Sequence, residues 1–209
     1  MQLAHRSVIS AALVWVFHIA AVVGCALGFC DWFTEKTPLN LLLIASIVAL
    51  DHPPREIFRM AIPFAIGMIA EWIGVHTGWL FGDYSYGNNL GWKIWEVPTL
   101  IGMNWLILIY AGSAITAKTG WNNTFRAIST AGLITSLDFL IEQVAPQLHF
   151  WSFKNGEVPF SNYAGWLIVS FIASYLYIIT GKENRSPFLG IHIFFAILFY
   201  FVSINILMY

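Results

Sequence analysis

The stretch Pro187-Phe-Leu-Gly-Ile-His-Ile-Phe-Phe-Ala-Ile-Leu-Phe-Tyr-Phe-Val-Ser-Ile-Asn-Ile-Leu-Met208 runs for 22 residues without one charged side chain. At ~1.5 Å per residue, a helix of that length measures about 33 Å and crosses the ~30 Å hydrocarbon core of a bilayer. A helix apolar on every side has no water-facing stripe, so it belongs in lipid or deep inside a bundle. The same reading holds near Val8–Phe29, Pro38–Leu50, Ile57–Gly78, Trp95–Ala117, Ala127–Ala145 and Asn162–Thr180, which brings the count to about seven spans. The second is short, and Asp51-His52-Pro53-Pro54 ends it abruptly, leaving it tilted, partly re-entrant or shielded by its neighbours. The predicted fold class is all-α: a polytopic transmembrane helix bundle, one integral membrane domain over residues 1–209.

Composition agrees. Hydrophobic residues make up 58% of the chain and charged residues only 10%, against about 25% charged in an ordinary soluble domain. The formal net charge of -1 provides no basic surface, so nucleic acid is excluded as a partner. Cys25 and Cys30 stand five residues apart, on different sides of a continuous helix, and are expected to form neither a disulfide nor a metal site. Arg6, the apolar run from Val8 and Val22-Val23-Gly24-Cys25 together resemble a lipoprotein signal. The apolar character continues through Phe29, however, which favours a first transmembrane helix.

Lys and Arg gather on the cytoplasmic side of membrane proteins. With seven spans, Arg6, Arg55, Arg59, Lys118, Arg126, Lys182 and Arg185 share the side of the N-terminus, and Lys36, Lys93 and Lys154 take the other. That asymmetry predicts a cytoplasmic N-terminus in the cell membrane. It puts the long connections Trp79–Ile94 and Pro146–Ser161 together on the opposite face. The two connections echo each other: Glu71 precedes an aromatic loop and Val97-Pro98, and Glu142 precedes an aromatic loop and Val158-Pro159. Two helix-loop-helix units of equal orientation are thus expected to frame one site.

Glu71, Asp138 and Glu142 are acids inside spans, with no Lys or Arg beside them. An isolated carboxylate in hydrocarbon is costly, so each faces a wet cavity, takes up a proton or bonds to hydroxyls across helices. Asp138 and Glu142 have i, i+4 spacing, which places them about 6 Å apart on one helix face as a coupled pair. The loop aromatics Trp79, Phe81, Tyr84, Tyr86, Trp92 and Trp95, with Phe150, Trp151 and Phe153, lie on the same side as the acids. They suit an interfacial belt, and their faces also attract cations. Asp83, beside Gly82, reads as an Asx turn or as a further polar group of this loop.

Several chemistries lack their residues. The histidines, His18 and His192 in spans and His5, His52, His76 and His149 elsewhere, form no box of the kind membrane di-iron enzymes use. All five lysines fall in loops, which excludes a retinal Schiff base. Asp138-x-x-x-Glu142 stands without the further acidic and basic motifs of a diphosphate-using prenyltransferase. No HExxH, GxSxG or phosphate loop is present, and no metal or other cofactor is expected.

Four stretches resemble the carotenoid biosynthesis membrane family that includes the carotenoid 1′,2′-hydratases. They are Glu71-Trp-Ile-Gly74-Val-His-Thr77-Gly78-Trp-Leu-Phe81-Gly82-Asp-Tyr84-Ser-Tyr86; Gly91 to Val97-Pro98; Asp138-Phe-Leu-Ile-Glu142; and Trp151 to Val158-Pro159-Phe-Ser-Asn162-Tyr-Ala-Gly165-Trp166. They follow in order over spans three to six. Where the family's pattern has Asp-Pro after the first acid, this chain reads Glu142-Gln-Val-Ala-Pro146. The resemblance implies addition of water to the terminal 1′,2′ double bond of an acyclic (ψ) carotenoid end group, giving a tertiary alcohol without a redox cofactor.

On that reading Asp138 and Glu142 supply the proton, Glu71 is their partner or orients water, and Asp83 holds water at the loop. Tyr84, Tyr86, Trp79, Phe81, Trp151, Asn162 and Trp166 then line the substrate site. The implied partners are a carotenoid, water, membrane lipid and other carotenoid biosynthesis enzymes. A carotenoid end-group cyclase starts with the same protonation, and a proton-coupled transporter or non-catalytic carotenoid-binding protein also carries buried acids.

Overall fold

A computed structural model describes residues 2–181 and 187–209 of the chain. Lys182 and Arg185, counted above for orientation, lie outside the described residues. Among the described residues, eight helices run in the order α1 (Gln2–Ala26), α2 (Cys30–Thr34), α3 (Thr37–Asp51), α4 (Pro54–Thr77), α5 (Ile101–Thr116), α6 (Asn123–Glu142), α7 (Phe160–Ile179) and α8 (Phe188–Met208). Among the described residues, α1, α4, α6, α7 and α8 contain segments long and apolar enough to cross a bilayer, and α3 and α5 are shorter apolar helices.

Local chemistry sets the ends of these helices. Pro38 sits in the first turn of α3, where its missing N–H costs nothing, and the proline pair 53–54 stops one helix and starts the next. Helix α4 ends on Gly78 at φ 65, a left-handed cap that glycine adopts without strain. Asn122 caps α6 by accepting from the Phe125 N–H at 2.9 Å.

Three sequence expectations change. The first helix ends at Ala26 and not at Phe29, because the chain turns at Gly28 with φ 88. That turn folds the short α2 back onto α1, so Cys25 and Cys30 meet and form a disulfide. The expectation of no disulfide assumed a continuous helix, and the break removes that premise. The third change concerns Trp95, expected to open the fourth span: it stands instead in a hairpin turn. Strands β2 (Lys93–Ile94) and β3 (Val97–Pro98) pair antiparallel there, with Trp95 and Glu96 both at positive φ, the geometry of a two-residue primed turn.

Helix α5 lies at the centre and packs against α3, α4, α6, α7 and α8. Residues Ile107 to Ala114 are all buried, as expected of a helix with neighbours on every side. Helix α4 approaches α5 closely at Gly67, where any side chain would enter the Trp105 ring. That glycine lets α4 and α5 close around the indole. Arg59 and Arg126 share helices with the buried acids but sit about 18 Å along the axis from Glu71 and Asp138 respectively. Arg59 pairs there with Glu56 at 3.0 Å and lies over the Tyr177 ring.

Candidate active site

The two loops that echo each other in sequence pair in space. Strand β1 (Tyr84–Tyr86), from the connection after α4, runs antiparallel to β4 (Trp151–Phe153), from the connection after α6. The register sets Tyr84 against Phe153, Ser85 against Ser152 and Tyr86 against Trp151. Side chains alternate between the faces of a strand, so the four aromatic residues share one face and both serines take the other. Ser85 and Ser152 are exposed; Tyr86 and Trp151 are buried over the ends of α4 and α6.

Beneath this ribbon lie Glu71, Asp138 and Glu142, each at most 4% exposed. The Glu71 carboxyl accepts three hydrogen bonds. Tyr84 and Tyr86 both donate their hydroxyls to Oε2 at 2.6 Å, and the Trp105 indole N–H donates to Oε1 at 2.8 Å. On α6, the i, i+4 pair is bridged by one amide: Asn162 Nδ2 of α7 donates to Glu142 Oε1 at 2.8 Å and to Asp138 Oδ2 at 3.2 Å. Trp151 Nε1 donates to Glu142 Oε2 at 2.8 Å. Five of the six carboxyl oxygens therefore receive a donor, and Asp138 Oδ1, buried without a hydrogen-bond partner, does not.

Two ion pairs, Arg59 with Glu56 and Lys36 with Glu35, lie away from this cluster. Neutral donors alone satisfy the acids. Burial and the neighbouring Glu71 carboxyl push the Tyr84 and Tyr86 phenols well above the ordinary tyrosine range, so both remain hydrogen-bond donors. Trp105 stacks on Trp166 at 4.2 Å between ring centroids, which fixes the indole that serves Glu71.

A cavity of about 10 Å³, measured as space for the centre of a water-sized sphere, lies among Glu71, Glu142, Tyr84, Tyr86, Trp151 and Asn162, closed by Phe81, Phe153, Ile101 and Trp166. That is about the minimum volume that admits one water, and the polar partners a water needs are present. Among the described residues, no group of three or more His, Cys, Asp and Glu side chains is arranged to hold a metal ion.

The structure thus assembles Glu71, Asp138, Glu142, Phe81, Tyr84, Tyr86, Trp151, Asn162 and Trp166. It does not bring Asp83 or Trp79 to the cluster. Asp83 precedes Tyr84 and shares the outward side of the strand with Ser85, where it is exposed. Trp79 follows the Gly78 cap and is 77% exposed. Trp105 went unnoticed in the sequence. Its only signal there is an indole in the interior of an apolar helix, where a buried N–H requires an acceptor.

An apolar helical bundle thus closes three acids under an aromatic ribbon, a buried-carboxyl site shielded from bulk water. The chain belongs to the carotenoid biosynthesis protein family, whose model matches residues 10–209. It is also similar to a bisanhydrobacterioruberin hydratase of Haloarcula japonica, at 28% identity over 120 residues. That match covers 51% of this chain and 39% of the relative, so the chain spans well under half of the relative's length. No solved structure matches the chain.

Proposed function

We propose that this protein hydrates the terminal 1′,2′ double bond of an acyclic carotenoid end group, acting as a seven-span protein of the cell membrane with its N-terminus in the cytoplasm. Family membership and the similarity to a hydratase support the substrate class. The observation that carries the reaction type is the arrangement of the acids: three buried carboxyls served by neutral donors, two of which, Glu71 and Glu142, line space for one water.

A trisubstituted alkene is a weak base. Its hydration requires a positioned acid, shelter for a tertiary cation, and water held on the proper side. The Asp138–Glu142 pair is the acid, sharing one proton that carbon 2 receives through Glu142, the member that lines the small cavity. The positive charge then falls on carbon 1, facing the rings of Tyr84, Tyr86 and Trp151. Glu71, held by three donors, orients the water and accepts the proton that it loses on attack. Net change is the addition of one water across the double bond, with the carboxyls returned to their starting states by proton exchange. No electron is gained or lost, so no redox cofactor is called for.

Expression in cells that accumulate acyclic carotenoids tests this reading. The expected product carries one added water and a tertiary hydroxyl. A cyclised product of unchanged mass, or unaltered pigment across lycopene, monocyclic and longer-chain substrates, overturns it.

A further inference from the structure

A second, much larger cavity of about 540 Å³ lies beside the acid site, bounded by α1, α2, α3, α5, α6, α8 and the loop at 150–151. Its wall is mainly apolar, and its volume is in the range that encloses most of a sizeable organic ligand. Two residues, Ile101 and Trp151, line both cavities. Trp151 is therefore a shared wall, and its indole N–H is the group that holds Glu142.

The large cavity also has a mouth. Phe17 of α1, Trp32 of α2 and Leu39 of α3 line it yet are 48%, 56% and 63% exposed. The opening therefore faces sideways between α1 and α3, on the apolar flank of the bundle, and α2 roofs it. The Cys25–Cys30 disulfide pins that roof, and Phe33 lies directly over Gly24, where no side chain fits.

We infer that this cavity is the seat of the polyene, which enters between α1 and α3 and presents its terminal double bond to Glu142 at the Trp151–Ile101 wall. The inference rests on the carotenoid reading above. An apolar cavity open to lipid is filled by hydrocarbon and not by water. The rings of Phe33, Phe150, Trp151 and Phe201 along its wall favour a flat conjugated chain over a saturated acyl chain. Glu142 is consequently the carboxyl that meets the substrate. Trp151 stands between the chain and this acid and holds Glu142 through its indole N–H.

The test uses Ala20→Cys at the mouth, because the two native cysteines are bonded to each other and the new thiol is the only one available. The purified variant is treated with N-phenylmaleimide after folding, and both retained polyene and hydration of an acyclic carotenoid are measured. Labelling is expected to reduce both at least tenfold relative to the same variant left untreated. Ala21→Trp, which fills the cavity from within, is expected to do the same, and Ile172→Trp on the exposed side of α7 is expected to leave both unchanged.

Full retention and turnover after labelling and in an inserted Ala21→Trp protein would overturn the inference, as would phospholipid acyl chains in place of polyene in the wild type. Retained polyene that labelling displaces, without hydration in the wild type, would support the seat and reject the hydratase reading.

Discussion

Replacing Asn162 by leucine removes the single group that serves two carboxyls. The side chain is buried at 2% exposure, and its Nδ2 atom donates to Glu142 at 2.8 Å and to Asp138 at 3.2 Å. Leucine nearly matches the volume, so the cost falls on hydrogen bonding and not on packing. Each buried acceptor deprived of its donor costs about 1–3 kcal/mol, and two are deprived. Glu142 keeps Trp151, but Asp138 keeps nothing, so the sum is about 2–5 kcal/mol with Asp138 carrying the larger share.

Thermal unfolding in detergent should fall accordingly, and turnover should drop by about a hundredfold, because the proton-donating pair loses its orientation. Asn162→Asp keeps the shape while removing the amide donor, and a bridging role predicts a loss at least as large as in Asn162→Leu. Wild-type melting and turnover in both variants would refute the bridge.

Other expectations follow from the same geometry. Glu71→Gln should abolish hydration while the protein still inserts, read by product analysis beside a membrane-insertion assay. Trp105→Phe should cost about 1–3 kcal/mol in unfolding and lower turnover, since it removes the donor to Glu71 Oε1 while keeping most of the stacking on Trp166. Cys25→Ser should cost about 2 kcal/mol by chain entropy for so short a loop, and should lower polyene retention more than stability, because it frees the α2 roof. In an alkaline titration followed by tyrosinate absorption, Tyr84 and Tyr86 should ionise only well above the ordinary tyrosine value of about 10. Their raised values imply that the folded state keeps protons the unfolded chain releases, so the contribution of these two tyrosines to stability should be constant below about pH 10 and fall as pH rises further.

The acids were legible in the sequence because a carboxyl in an apolar run has few explanations, and the i, i+4 spacing of Asp138 and Glu142 fixes their common face. Tyr84, Tyr86 and Trp151 were legible as loop aromatics following those acids. Pairing of β1 with β4 adds what spacing does not contain: the alternation that turns Tyr84 and Tyr86 inward sends Asp83 outward. Trp105 was hidden because an aromatic residue inside an apolar helix looks the same whether it fills a core or serves a carboxyl. The disulfide was hidden for another reason, as five residues mean opposite sides only while the helix continues, and Gly28 ends it. The large cavity belongs to no residue. It arises from how six helices fail to fill the space between them, and only packing reveals it.

The most direct test gives the purified protein an acyclic carotenoid in deuterated water enriched in heavy oxygen. Acid-catalysed hydration places one deuterium on carbon 2 and the heavy oxygen in the hydroxyl on carbon 1, and Glu142→Gln should lose both labels together. A product with heavy oxygen but no carbon-bound deuterium, or undiminished double labelling in Glu142→Gln, would contradict protonation by the buried pair.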